Sequence, residues 1–161
     1  MRAEGWEMNL YYYETCLGRI GIAECNGRIT ALDFEGEPVS EHAKICETAV
    51  LKEAAGQLKD YLAGELREFS LPLEPEGTPF MKSVWRALSQ IPYGRTVSYK
   101  DIATAVGNPK ASRAVGMANN RNPLPILIPC HRVIGANGAL VGYGGGLDIK
   151  VKLLEIEKKH L

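Results

Sequence analysis

The 161 residues contain no run of about 18 or more uncharged apolar residues, which excludes a membrane-spanning helix. Histidine is scarce: His42, His131 and His160 are scattered and lack the spacing of a zinc site. Cys16, Cys25, Cys46 and Cys130 form no Cys-x-x-Cys pair, which argues against zinc-ribbon and dithiol redox chemistry. The chain is also too large to need a disulfide framework. No metal is expected, Cys16, Cys25 and Cys46 are expected to be inert buried thiols, and a reduced, cytoplasmic setting is the expectation. Residues 1–13 carry Glu4 and Glu7 and no apolar core of the signal-peptide kind. Internal repeats and low-complexity segments are absent too.

The formal net charge of +0 conceals a division. Residues 1–78 hold 7 Lys and Arg against 15 Asp and Glu, a net −8, whereas residues 79–161 hold 12 against 4, a net +8. The basic half is a candidate for a polyanion, or else the two halves attract each other. The sign changes at Leu71-Pro72-Leu73-Glu74-Pro75-Glu76-Gly77-Thr78-Pro79, a stretch that can neither continue a helix nor sit in a central strand. That places a boundary between a domain 1–76 and a domain 77–161.

In the acidic half, residues 8–13, 20–23 and 29–34 read as strands, with a turn near Leu17-Gly18 and a hairpin signal at Asn26-Gly27. Residues 44–63 read as a helix burying Ile45, Ala49, Leu51, Ala55, Leu58 and Leu62. In the basic half, Thr78 caps a helix beginning at Pro79 and running to about Gln90. Ser98 caps a second helix, Tyr99 to Val106. After the turn Gly107-Asn108-Pro109 a third runs from Lys110 to about Asn119, again with proline at its start. Helix, glycine turn, helix is the pattern of a helix-turn-helix. The third helix is built of small residues (Ala111, Ser112, Ala114, Gly116, Ala118) around Arg113. Such a surface suits close backbone approach in a minor groove better than major-groove base reading. It equally suits packing against a neighbouring helix.

The segment Asn122-Pro123-Leu124-Pro125-Ile126-Leu127-Ile128-Pro129 reads as extended and largely buried, and it delivers Cys130-His131-Arg132. A thiol beside an imidazole and a guanidinium is what a tuned nucleophile needs, because adjacent cations lower a thiol pKa from about 8.5. Consecutive side chains point apart in regular structure, so Cys130 and His131 cooperate only in a turn or through a water.

Pro129-Cys130-His131-Arg132-Val133 resembles the active-site signature of the O6-alkylguanine-DNA alkyltransferases (methylated-DNA–protein-cysteine methyltransferases). The resemblance covers residues 80–157. It includes Tyr93-Gly94, Ser98-Tyr99, Gly107-Asn108-Pro109, Arg113-Ala114-Val115-Gly116, Asn122-Pro123 and Tyr143-Gly144-Gly145-Gly146-Leu147. It extends more loosely to the acidic half through Leu17-Gly18 and Asn26-Gly27.

The resemblance implies an α+β fold: a small N-terminal antiparallel sheet plus helix (RNase H-like), then a C-terminal winged-helix/helix-turn-helix domain. It implies stoichiometric transfer of an alkyl group from O6-alkylguanine, and O4-alkylthymine, in duplex DNA to Cys130 after base flipping. His131 would act as base through a water, and Glu157, on a helix 148–159 that buries Leu147, Val151 and Leu154, would fix the imidazole. Tyr99 would donate to guanine N3. Tyr143 would line the alkyl side in a glycine loop, Gly144 stands where the family often has serine, and Val133 joins the base-binding set. Asn122 would order the active-site loop. Arg113 would be the finger that fills the vacated base position, with Ala111, Ser112, Ala114 and Arg121 beside it on DNA. No cofactor is implied, the partner is double-stranded DNA, and a monomer is expected. The alternatives are a non-catalytic alkyltransferase-like lesion binder, disfavoured by the presence of Cys130, and a helix-turn-helix regulator, disfavoured by the short side chains of the third helix.

Overall fold

Asn26 and Gly27 take φ of 55° and 80°, the left-handed pair that a two-residue hairpin turn requires. They join β2 (Gly18–Cys25) to β3 (Arg28–Phe34), and Cys16-Leu17 turns β1 (Met8–Thr15) into β2. This computed structural model describes residues 7–37, 42–140 and 145–161. The chain divides into two compact units, Met1–Pro75 and Glu76–Leu161.

In the first unit β1, β2 and β3 pair antiparallel, with Tyr11 opposite Ile22 and Ile22 opposite Leu32. A two-residue strand, β4 (Lys44–Ile45), adds parallel to β1, giving the order β3-β2-β1-β4. The helix expected over 44–63 is therefore shorter, α1 being Ala49–Leu62. Lys44 and Ile45 find backbone partners on the open edge of β1, where the Cys46 N–H donates to the Leu10 carbonyl at 3.1 Å. Thr48 is extended and ends the helix there. Ile45 and Ala49, expected on the buried face, are exposed, and Leu62 is half-buried. Leu51, Ala54, Ala55, Leu58 and Tyr61 form the buried stripe instead. The proline-rich stretch is also more ordered than a free linker. Ile29 donates to Pro72 O at 2.7 Å and accepts from Glu74 N at 2.8 Å, so Leu73 covers the outer edge of β3.

In the second unit α2 (Pro79–Leu88) starts on a Thr78 cap that accepts from Met81 N at 3.1 Å. The helix α3 (Tyr99–Ala105) starts on a capping box: Ser98 Oγ accepts from Asp101 N, and Asp101 accepts from Ser98 N. The next helix, α4 (Ser112–Asn120), begins two residues later than expected. Pro109 and Lys110 lie in the preceding turn, which Ala111 N closes onto Asn108 O at 3.0 Å, so proline does not occupy the first helical position. Trp85 of α2 ties these helices together by donating to Ala118 O at 2.9 Å.

Two short parallel strands, β5 (Val97–Ser98) and β6 (Val133–Ile134), carry the functional consequence of this unit. One leads directly into α3 and the other follows Cys130–Arg132, so the start of α3 lies beside the Cys-His-Arg cluster. The last helix, α5 (Leu147–Lys159), does not bury the stripe expected from its aliphatics. Leu147 is 48% exposed and Val151 and Leu154 are half-buried, while Lys150, Leu153 and Glu157 face inward. Hydrogen-bonding partners for two charged side chains decide the rotation of this helix. No helix among the described residues is long and apolar enough to cross a membrane.

Candidate active site

The buried segment ahead of Cys130 is looped rather than simply extended. Ile128 N donates to Leu124 O at 2.8 Å, and Ile126, a β-branched residue, takes φ 74°. A positive φ there is a genuine strain, of order 1–3 kcal/mol, that the surroundings must impose. Asn122 supplies part of that constraint: its Nδ2 donates to Ile128 O and its Oδ1 accepts from Leu124 N, both at 2.9 Å. The loop thus turns the Ile126 N–H toward the thiol, where it joins the Asn122 side chain and the Cys130 N–H in favouring the ionised form.

Cys130, His131 and Arg132 form a single 3-10 turn, the local geometry in which consecutive side chains can serve one site. All three are buried, and Cys130 O accepts from Asn119 Nδ2 at 3.4 Å. The thiol is not acidified at rest. Burial pushes its pKa up to about 11, outweighing Asn122, the charge of Lys150 and the two backbone N–H groups. At pH 7 only about one thiol in ten thousand is ionised on that value, so ionisation must be coupled to a base. The expectation that adjacent cations acidify the thiol is corrected accordingly. The guanidinium of Arg132 is turned onto other partners, and the cation that favours the thiolate is Lys150.

His131 is fully buried, and its Nε2 lies 2.7 Å from Glu157 Oε2, itself 1% exposed. Arg132 grips the same carboxylate with Nε at 2.9 Å from Oε1 and Nη2 at 2.9 Å from Oε2. Gly94 N donates to Oε1 at 2.9 Å, so both Glu157 carboxylate oxygens are engaged. Gly94 has φ 78°, and a Cβ there would run into Leu161. Burial holds the His131 pKa below its ordinary value, with Arg132 and Lys150 acting in the same direction and Glu157 against them.

Lys150 is fully buried, donates to Val133 O at 2.7 Å and is held below the usual lysine range by burial. The Val133 carbonyl is therefore already engaged on this side. Tyr99, the first residue of α3, is half-buried, and its ring packs over Gly116 of α4. Burial, then the neighbouring Cys130, raise its pKa, so the hydroxyl remains a proton donor at neutral pH.

On α4, Arg113, Ala114 and Met117 are exposed, Arg121 follows exposed at its C-terminal cap, and Ala111 and Ser112 are half-buried. Tyr143 and Gly144 lie outside the described residues, as do Val141 and Gly142.

Sequence reasoning missed several members of this cluster. Arg132 was visible only as a neighbour of the thiol and Lys150 as one of several lysines on a C-terminal helix. Asn119, 2% exposed, and the backbone of Gly94 also carried no signal. A lysine and a glutamate seven apart on one helix face was the available hint, since that spacing puts both on one side. Met117, 52% exposed one turn beyond Arg113, interrupts the small-residue surface. The other cysteines differ from one another: Cys25 is buried, Cys46 half-buried, and Cys16 exposed because it occupies the β1–β2 turn.

Comparison with known proteins matches both units to one family. Residues 8–75 match its model for the ribonuclease-like domain of 6-O-methylguanine DNA methyltransferase, and residues 79–159 its DNA binding domain. The constitutive methylated-DNA–protein-cysteine methyltransferase of Bacillus subtilis is 53% identical over 159 residues, 94% of this chain and 96% of that one. The Methanosarcina acetivorans protein of the same name is 64% identical over 106 residues, 66% of this chain and 68% of that one. Among solved structures, Mycobacterium tuberculosis OGT in complex with DNA superposes with a TM-score of 0.90 at 43% identity, covering 94% of each chain. With both units matched and similarity running the length of the chain, this protein belongs to the 6-O-methylguanine DNA methyltransferase family.

Proposed function

We propose that this chain repairs DNA by moving an alkyl group from O6 of guanine, and from O4 of thymine, onto Cys130, once per protein molecule. The observation that carries this reading is the buried turn itself: a thiol, an imidazole and a carboxylate in sequence-adjacent and helix-borne positions, next to the half-buried hydroxyl of Tyr99. In the proposed step the Cys130 S–H proton passes to His131, directly or through a water, while Glu157 orients the ring. The sulfur then forms a bond to the alkyl carbon as the C–O6 bond breaks in line. Tyr99 donates its proton at guanine N3, so that the base leaves neutral rather than anionic, and the tyrosinate regains a proton from solvent as His131 releases the one taken from the thiol. Asn122 and the strained Ile126 hold the loop so that polar donors face the sulfur. Val133, Tyr143 and Gly144 complete the assigned base site.

A guanine inside a duplex must be flipped out before it can reach a buried thiol, at a cost of a few kcal/mol. Arg113, exposed on α4, is assigned to fill the vacated position, where its planar guanidinium can both stack and donate. Ala111, Ser112, Ala114 and Arg121 are assigned to the DNA backbone around it. The protein is read as a cytoplasmic monomer made of domains 1–76 and 77–161 that needs no cofactor, since the acceptor is its own side chain.

The test is incubation with duplex DNA carrying labelled O6-methylguanine. One label per protein molecule is expected, and none in Cys130→Ala. Tight lesion binding without transfer would establish the non-catalytic lesion binder instead.

A further inference from the structure

Arg132 is the one member of the buried turn for which the proposed chemistry has no task, and it is held more completely than its neighbours. Nε and Nη2 grip Glu157, Nη1 donates to Ile91 O at 2.7 Å, and its guanidinium carbon lies 5.6 Å from the centre of the Tyr93 ring. A surface arginine that merely brightens a carboxylate would not be clasped on both edges and one face. We infer that Arg132 is a positioning residue that neutralises Glu157, so that His131 stays an uncharged relay that passes the Cys130 proton on instead of retaining it. The inference rests on the proposed role of His131 as the acceptor of that proton.

The protonation state of His131 is governed by the charges buried with it. A histidine paired with a lone buried carboxylate is stabilised as the cation, because the pair is then neutral. Here the carboxylate is already paired. With His131 uncharged, Glu157, Arg132 and Lys150 sum to one positive charge, and protonating His131 would raise the buried cluster to two. The groups facing His131 from other elements do not offset this. From α5 come Glu157 and Lys150, and from its own turn Cys130 and Arg132. The loop before β5 contributes Tyr93, which faces Arg132. The helix α2 turns Val84, Trp85 and Leu88 inward and carries Lys82 and Arg86 outside. The depression of the His131 pKa by burial, Arg132 and Lys150 agrees with this accounting.

Geometry also selects the tautomer. Nε2 faces Glu157 and donates to it in the neutral ring, which leaves Nδ1 to receive the thiol proton. The S–H bond breaks as an N–H bond forms at Nδ1, directly or across a bridging water. Once the thioether exists, an imidazolium beside two buried cations gives the proton up to solvent.

Nuclear magnetic resonance of ring-15N-labelled histidine follows His131 directly, without any transfer reaction. In the unreacted protein its ring is expected to stay neutral down to a pH below the ordinary histidine value of about 6.5. Arg132→Met should raise its midpoint by about one unit or more, and the acid limb of the methyl-transfer rate should move up with it. Arg132→Lys, which keeps the charge but not the fork, should leave the midpoint near that of the parent while slowing transfer. Should Arg132→Met fail to fold with Glu157 unpaired, Arg132→Met/Glu157→Gln removes both charges and should return the midpoint to the parent value or below. A parent His131 that titrates at or above the ordinary value, or an Arg132→Met midpoint that does not rise, overturns the inference. A His131 that is neutral in the parent and rises in Arg132→Met, in a protein that transfers no methyl group, would uphold the neutralisation of Glu157 by Arg132 and overturn the relay together with the proposed function.

Discussion

Among the described residues of the first unit, the buried charge is Glu24, and its carboxylate is spent on the hairpin: it accepts from Asn9 Nδ2 at 2.6 Å and from Gly27 N at 2.8 Å. The second unit buries Asn119, Asn122, His131, Arg132, Lys150 and Glu157, all on the segment around one thiol or on helices facing it. Buried charge is a poor route to stability, since desolvation offsets much of the attraction. One carboxylate that staples a turn is explained by folding. Six polar groups gathered around a cysteine fit the nucleophilic role proposed for it.

Substitutions in each unit put this contrast to the test. The largest effect is expected at the exposed edge of the second unit: Arg113→Ala should slow transfer from duplex DNA by about 100-fold, in keeping with a few kcal/mol for a flipped base. The same variant should react with free O6-benzylguanine almost as the parent does, and equal losses on the two substrates would remove Arg113 from the flipping role. Lys150→Met comes next. An apolar residue of similar length leaves the Val133 carbonyl without its donor, at a cost of about 1–3 kcal/mol, and should slow transfer by about tenfold through the less acidic thiol. A large fall in stability with unchanged transfer would make Lys150 a structural residue.

Glu24→Gln should do the opposite. It should cost about 1–2 kcal/mol of stability, read by urea denaturation, because one charged acceptor of two hydrogen bonds is lost. Its transfer rate should be that of the parent. The smallest effect is expected at Asp33, half-buried near Glu37, whose pKa is raised to about 6 by burial first and Glu37 second. A folded-state pKa above the unfolded value near 3.9 means that the stabilisation is present below about pH 4 and is lost as pH rises through about 6. Asp33→Asn should therefore raise the free energy of unfolding slightly at pH 7, by a few tenths of a kcal/mol after solvent screening, and not at pH 3.5, read by urea denaturation at the two pH values. A gain that persists at pH 3.5 would point to packing instead.

Local chemistry made much of this legible. Asn26-Gly27 specifies its turn by backbone conformation alone, and Thr78 and Ser98 announce helix starts by side-chain capping. These signals act over three or four residues and need no partner from elsewhere. Where the expectation failed, a distant partner had intervened. The edge of β1 drew Lys44–Ile45 out of the helix, and Glu157 and Lys150 rotated α5 against its own aliphatic pattern.

The site divides along the same line. Cys130 and His131 were legible as a candidate pair because they are adjacent and follow a proline-rich segment. Asn122, Tyr99, Arg113 and Glu157 were named through family resemblance, and their burial and partners came from the fold.

Residues read in order were enough to single out Cys130 as a candidate nucleophile, a basic half with a helix-turn-helix pattern, and a boundary in the proline-rich stretch. Those features reside in neighbouring residues, in composition and in short-range periodicity. Which cation acts on the thiol and which one pairs with Glu157 depends on the folded chain. Lys150 and Arg132 are 18 positions apart on different elements, and their charges compete only where the fold removes water between them.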